Sequence, residues 1–183
     1  MKKVSISSNY YSYRITKFNP KNRNEQGVYL DISEWTAISD IGKPSYNSPT
    51  YEEYERIESA YVAAIETVLL KNAVSSLKVD SLEIHSVKEN FEHYKLEGRL
   101  QSLTTDFEKD IAGLRNGIQL DSSQLRKTIR LILREVIWMV LSSKEVTVEF
   151  GYDYYIYVRC KKLNSNAIKQ IEKTGLFIEQ LNS

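Results

Sequence analysis

Apolar residues follow two different spacings along the chain, and these predict where strands and helices lie. In the strand-like runs, β-branched and aromatic residues alternate with polar ones, which is typical of a sheet. Runs of this kind occupy residues 10–18, 28–30, 77–87, 145–150, 154–160 and 176–178. The turn containing Gly151 and Asp153 separates two of them, so a hairpin is predicted there. The alternation is imperfect near Asp80 and Ser81, where we expect an irregular strand.

Two segments instead have the three- and four-residue apolar spacing of amphipathic helices. The first follows Thr50, which with Glu53 forms a capping-box pattern, and it is predicted to run to about residue 73. The second is capped by Asp121 and keeps one apolar face as far as Val140. We therefore expect this second helix to end near Ser142.

Together these elements predict a single α+β domain over residues 1–183, since this length suits one domain. The expected architecture is a mostly antiparallel or mixed sheet with two long amphipathic helices packed on it. A short helix is predicted after residue 164, and Gly175 is predicted to end it. The apolar residues in the segment 88–117 follow no clear spacing, so we interpret it as an insertion or irregular segment. It could form a strand plus a loop, or a weak helix.

Composition narrows the class of protein without identifying it. The chain is 42% hydrophobic and 27% charged with a net charge of +1, so it has no overall field that favours nucleic acid or a membrane surface. Its longest strongly apolar run is far shorter than the roughly 20 residues that cross a bilayer. The single cysteine suits a reducing compartment. These features predict a cytoplasmic protein with no membrane partner.

Catalytic and metal-binding motifs are not evident. His85 and His93 are eight residues apart and lack the spacing of a metal-ligand set. Cys160 shares a predicted strand face with Ile156 and Val158, so it is expected to pack as a small buried hydrophobe. The seven glycines form no phosphate-binding loop. The sequence therefore predicts no catalytic residue, no metal and no cofactor, and we do not expect an enzyme.

Two regions instead suggest macromolecular recognition. Thirteen tyrosines are present, and several cluster at the predicted hairpin, while the long loop over residues 31–49 combines acidic and aromatic residues. Tyrosine is frequent at binding hot spots because it joins a large contact area to a polar tip. The candidate partner-binding residues are Glu34, Trp35, Asp40, Tyr152, Asp153 and Tyr154. Trp35 and Ile38 are equally well explained as hydrophobic anchors that hold the loop on the core.

Four stretches of the sequence are distinctive, namely residues 13–17 (YRITK), 34–43 (EWTAISDIGK), 150–158 (FGYDYYIYV) and 175–177 (GLF). Together they resemble a family of small cytoplasmic bacterial proteins associated with immunity to polymorphic or contact-dependent toxins. The resemblance implies that the partner is a cognate protein toxin, such as a nuclease. It supplies no catalytic residues.

Two other functions fit parts of the sequence. An enzyme acting on a small molecule or nucleic acid would use the loop carboxylates Asp31, Glu34 and Asp40. A nucleic-acid-binding module would use the stripe formed by Arg126, Arg130 and Arg134. Because the net charge is close to zero, we favour a solvated helix face as the explanation of this stripe.

Overall fold

The computed structural model describes residues 10–31, 33–44, 47–85 and 109–181, and within them the chain has an α+β fold. The strands are β1 Tyr10–Thr16, β2 Ser76–Ile84, β3 Gln119–Asp121, β4 Ile137–Ser142, β5 Thr147–Phe150, β6 Ile156–Lys161 and β7 Phe177–Leu181. The helices are α1 Tyr51–Lys71, α2 Ser122–Leu133 and α3 Ser165–Glu172, and short 3-10 turns lie at Pro20–Asn22 and Ile38–Asp40. Residues 109–112 are helical as well.

All seven strands belong to one antiparallel sheet, in the order β3-β2-β4-β5-β6-β1-β7. On one face of the sheet, alternate side chains such as Ile137, Met139 and Leu141 are buried in a core that they share with the apolar sides of α1, α2 and α3. The opposite face is half-buried or exposed. One of its rows, read across the strands, contains Val140, Glu149, Tyr157, Arg14 and Glu179.

Helix starts follow the predicted capping patterns. Thr50 Oγ1 accepts a hydrogen bond from the N–H of Glu53 at 3.2 Å, and the Glu53 carboxylate accepts one from the N–H of Thr50 at 2.8 Å. Asp121 and Gln124 form the same reciprocal pair at the start of α2. Each pair satisfies backbone donors that a helix leaves free at its first turn.

The predicted end of α2 is wrong, because the helix stops at Leu133 rather than near Ser142. Glu135 has a left-handed φ of 59° and turns the chain into β4, which pairs with β2 and β5. Almost every residue of β4 is apolar, so its pattern fits a helix face and a strand face equally well. The predicted α+β fold with two amphipathic helices on the sheet is confirmed, with 21 residues in α1 and 12 in the shorter α2.

Most predicted strands are confirmed. The irregularity in β2 is present as a register shift between Asp80 and Glu83, with a left-handed φ of 53° at Ser81. The short strand predicted at residues 28–30 is wrong, since Tyr29 makes only an isolated bridge with Arg23. Residues 88–108 of the segment interpreted as an insertion lie outside the described residues.

The arginine stripe of α2 contacts α1. The interpretation of this stripe as a solvated helix face is wrong at its C-terminal end, where Arg130 and Arg134 lie. Arg134 is buried and binds the Glu58 carboxylate through Nε at 2.5 Å and Nη2 at 2.9 Å. Arg130 also binds Glu58, whose side chain is fully buried, and Arg126 pairs with Glu66 nearer the surface. The stripe thus holds the two helices together.

Replacing Glu58 by glutamine should strongly destabilise the fold. The change leaves two arginines around a neutral group, and breaking a buried ion pair by removing one partner costs about 3–5 kcal/mol. The free energy of unfolding from urea denaturation measures the loss. Glu66→Gln is the matched control, because its more exposed ion pair should contribute no more than about 1 kcal/mol. Equal effects of the two substitutions would contradict this account of Glu58.

Candidate functional site

The candidate site is a cleft between the turn that joins α2 to β4 and the turn that joins β5 to β6. It has a volume of about 370 Å³ and is lined largely by apolar side chains. The apolar part of its lining consists of Ala37, Ile132, Leu133, Ile137, Phe150 and Ile156. Polar and aromatic side chains around it are His85, Glu135, Trp138, Tyr152, Asp153, Tyr154 and Tyr155, together with Thr36. A concave, mainly apolar site with a few polar groups is typical of ligand and partner binding.

The β5–β6 turn projects one tyrosine outward and another inward. Asp153 and Tyr154 both have left-handed φ angles, 55° and 58°, so the chain reverses sharply between the strands. As a result Tyr152 is 93% exposed, whereas Tyr154 is buried. Gly151 begins the turn, where a Cβ atom would lie 2.9 Å from the Tyr157 ring. No larger residue fits there unless that ring moves.

Two tyrosine hydroxyls fix the inner wall of the cleft. Tyr54 of α1 and Tyr154 of the turn each donate a hydrogen bond to the carbonyl of Leu133, both at 3.1 Å. That carbonyl belongs to the last turn of α2, where a helix has no internal donors left. Burial raises the pKa of both tyrosines, so their hydroxyls remain protonated donors.

Trp35 supports the cleft from inside the core. It is only 8% exposed, and its ring centroid lies 5.2 Å from that of Tyr154 and 5.7 Å from that of Tyr54. Ile38 is buried as well. Trp35 and Tyr154, both candidate partner contacts from the sequence, are therefore placed in the core, and Trp35 and Ile38 anchor the loop.

Asp40 is also buried, and its carboxylate folds the loop. It accepts hydrogen bonds from the N–H groups of Thr36 at 2.8 Å and Ala37 at 3.1 Å, and it pairs with Lys43. Burial acts to raise the pKa of Asp40, but these donors outweigh it and the pKa is lowered. The Asp40 carboxylate is therefore engaged within the loop itself.

Glu34 lies at a second cavity, of about 350 Å³, on the other side of Trp35. Its carboxylate accepts a hydrogen bond from Lys17 Nζ at 2.8 Å. Lys17 Nζ also lies 4.1 Å from the Trp35 ring centroid. Burial lowers the pKa of Lys17, although Glu34 opposes the shift. Asp31, the third loop acid, is exposed and accepts a hydrogen bond from Ser33 Oγ at 2.6 Å.

The structure thus brings part of the predicted binding surface together. Tyr152, Asp153 and Tyr154 line the cleft, while the loop reaches it through Thr36 and Ala37 rather than through Glu34 or Asp40. Sequence reasoning did not identify the rest of the lining, including its polar and aromatic residues His85, Glu135 and Trp138. Glu135 and Trp138 are not predicted as site residues, because the prediction that α2 continues to Ser142 places them on a helix.

Backbone strain concentrates at this cleft. Among the described residues, five other than glycine have a positive φ, and three of them, Glu135, Asp153 and Tyr154, line it. Such conformations cost about 1–3 kcal/mol each and tend to cluster at functional sites. Trp138 adds a rigid wall, since its indole N–H donates to the carbonyl of Phe150 at 2.8 Å. The cleft therefore has a fixed shape.

Comparison with known proteins gives no relative for this chain: no family model, curated protein or solved structure matches it. The described residues contain no group of three or more His, Cys, Asp or Glu side chains placed to hold a metal ion. His93 lies outside them. None of the helices they form is both long enough and apolar enough to cross a membrane.

Cys160, the one cysteine of the chain, is buried in β6. Burial raises its pKa to about 11, so the reactive thiolate is scarce at neutral pH. We expect native protein at pH 8 to react with iodoacetamide far more slowly than denatured protein, as followed by mass spectrometry. A Tyr152→Cys variant provides an exposed reference thiol in the same fold. Equal labelling of both thiols would show that Cys160 is accessible.

Removing both tyrosine hydroxyls at Leu133 should cost more than the sum of the single changes. Tyr54→Phe and Tyr154→Phe are each expected to lower the free energy of unfolding by about 1 kcal/mol. Either hydroxyl alone still satisfies the carbonyl, whereas the double variant leaves it buried without a donor, which adds a further cost of about 1–3 kcal/mol to the sum of the single changes. A double-mutant cycle by urea denaturation measures the difference. Strict additivity would mean that the two hydroxyls do not share this carbonyl.

Proposed function

We propose that this protein is a cytoplasmic bacterial immunity protein that binds a cognate protein toxin and blocks its active site. The observation that carries the proposal is the nearly full exposure of Tyr152 at the mouth of a rigid, mainly apolar cleft. A large aromatic side chain held in solvent by a strained turn has no folding role of its own. It is the kind of residue that becomes a hot spot when a partner buries it.

One other exposed apolar side chain lies close to the same surface. Ile84 is exposed and pairs in register with Ile137 of the cleft. Exposed apolar surface beside a cleft marks interaction sites in proteins. The proposed contact region is therefore the cleft mouth with Tyr152 and Ile84, in place of Trp35, Asp40 and Tyr154 as direct contacts.

The acidic residues of this surface suit an inhibitor of a nuclease. Asp153 and Glu135 line the cleft, and a nuclease active site is positively charged because it binds phosphates. Charge complementarity steers such a complex together and fixes its orientation. The resemblance to toxin-immunity proteins, found in the loop and hairpin sequences, points to the same class of partner.

Neither alternative function gains support from the arrangement of side chains. The arginine stripe proposed for nucleic-acid binding is engaged by Glu58 and Glu66 of α1. Of the loop carboxylates, Asp40 folds the loop, Glu34 binds Lys17 and Asp31 binds Ser33. Because these side chains are engaged within the protein, the cleft is the surface that best suits the binding of a partner.

Replacing Tyr152 by alanine should weaken binding of the toxin at least tenfold without changing the fold. The matched control is Leu70→Ala, which removes a 75% exposed apolar side chain near the other end of α1. Leu70 is 16 residues along the helix from Tyr54, or about 24 Å at 1.5 Å per residue. The toxin to test is the C-terminal domain of the large secreted protein that the proposal expects a neighbouring gene to encode, and calorimetry gives the affinities.

Co-expression of that toxin with this protein in a sensitive host tests the function directly. Cells should survive with the unchanged protein and with Leu70→Ala, and survival should fall with Tyr152→Ala. Equal killing with and without this protein would reject immunity against that toxin. Turnover of a substrate by the purified protein would reject the proposal that it acts by binding alone.

A further inference from the structure

We infer that the second cavity, on the other side of Trp35 from the cleft, binds a free α-amino acid with an apolar side chain. The inference goes beyond the proposed function, because it concerns a different cavity and a small molecule. Three features of the lining carry it, which are two carboxylates that can still accept hydrogen bonds, an arginine that can still donate them, and apolar surface beside them.

Two carboxylates of this lining are each held in place through one oxygen. Glu34 Oε2 accepts a hydrogen bond at 2.8 Å from Lys17 Nζ, whose side chain is only 4% exposed. Glu53 Oε2 accepts one at 2.8 Å from the N–H of Thr50 in the cap of α1. Among the described residues, the Oε1 atoms of Glu34 and Glu53 make no hydrogen bond. Both acids can therefore accept from an ammonium group, which carries three donors.

An arginine of the same lining lies one helical turn from Glu53 without pairing with it. Arg56 and Glu53 are three residues apart in α1, a spacing at which side chains are neighbours on a helix surface. In the part of the chain that the structure describes, however, Arg56 makes no ion pair and no hydrogen bond, and its Nη1 lies 3.7 Å from the position of a Cβ atom on Gly175. Its guanidinium therefore keeps a pair of parallel donors for a carboxylate.

An acceptor and a donor of opposite charge in one small cavity select a ligand that carries both charges. Residues at the spacing of Glu53 and Arg56 have Cβ atoms about 5–6 Å apart. The ammonium and carboxylate groups of an amino acid are attached to one carbon atom, so they match this short separation. A ligand with a single charge satisfies one of the two side chains and desolvates the other without compensation, which is unfavourable.

Size and apolar surface define the rest of the ligand. A volume of about 350 Å³ is near the lower end of the range for ligand pockets, about 300–1,000 Å³, and it suits one small molecule. Trp35, Pro49 and Ile57 are buried side chains that line the same cavity. They can cover an aliphatic or thioether side chain, and removing such a side chain from water favours binding.

L-Leucine and two compounds that each lack one of its charged groups test the inference on the intact protein. 4-Methylpentanoate lacks the ammonium group, and 3-methylbutylamine lacks the carboxylate. Trp35 lines this cavity and Trp138 lines the cleft, so their two indole N–H signals in a nitrogen-15 NMR spectrum report on the two places separately. We expect leucine to shift the Trp35 signal in a saturable manner and to leave the Trp138 signal fixed. Leucine should bind at least tenfold more tightly than either analogue.

Variants assign each charge of the ligand to its partner. Arg56→Gln should weaken leucine binding at least tenfold without weakening binding of the amine. Glu53→Gln should weaken leucine binding severalfold without weakening binding of 4-methylpentanoate, and glutamine still completes the capping box of α1. The matched control is Arg115→Gln, which removes an exposed arginine that is not among the described lining residues and should change none of the affinities.

Three results would overturn the inference. Leucine could leave the Trp35 signal unchanged, it could bind no more tightly than the analogues, or Arg56→Gln could weaken the amine as much as leucine. All of these measurements are made without the toxin, so their failure leaves the immunity function standing. Equally, a failure to neutralise the toxin in cells leaves the amino-acid site standing.

Discussion

The carbonyl of Leu133 is the point at which the separate parts of the fold are joined. It ends α2, and the hydroxyls of Tyr54 and Tyr154 donate to it from α1 and from the β5–β6 turn. Trp35 packs against both tyrosine rings and so ties the long loop to the same point. Because a helix end buried without donors is unfavourable, these two hydroxyls allow α2 to stop inside the protein. The wall of the cleft exists because α2 stops there.

That arrangement also explains how strained turns persist around the cleft. A left-handed conformation costs about 1–3 kcal/mol for a residue with a side chain, and Glu135, Asp153 and Tyr154 all adopt it. Burial of the Tyr154 ring and its bond to Leu133 offset the cost at the hairpin. Tyr154 is thus fixed by its packing and its hydrogen bond, and a surface that is preorganised in this way loses less conformational entropy on binding a ligand.

Local signals in the sequence were sufficient for some elements and insufficient for others. The capping box of Thr50 and Glu53 and the turn after Gly151 are short-range patterns, and both are confirmed. The end of α2 depends on pairing between β4 and the distant β2, which a nearly continuous apolar run cannot reveal. For the same reason the sequence could not bring Trp138 near His85. Tyr152 and Tyr154 look alike in sequence, and only the backbone of the turn decides which one is exposed.

The distribution of charge connects the core to the proposed binding surface. The chain is nearly neutral overall, but α2 directs its arginines toward Glu58 and Glu66 of α1. Arg134 is thereby held in the core, immediately before Glu135, which lies at the cleft. Two adjacent residues of opposite charge thus face different environments, and the left-handed turn at Glu135 separates them. The ion pairs between α2 and α1 therefore keep the arginines of this helix on the side of α1, while the turn places Glu135 at the cleft.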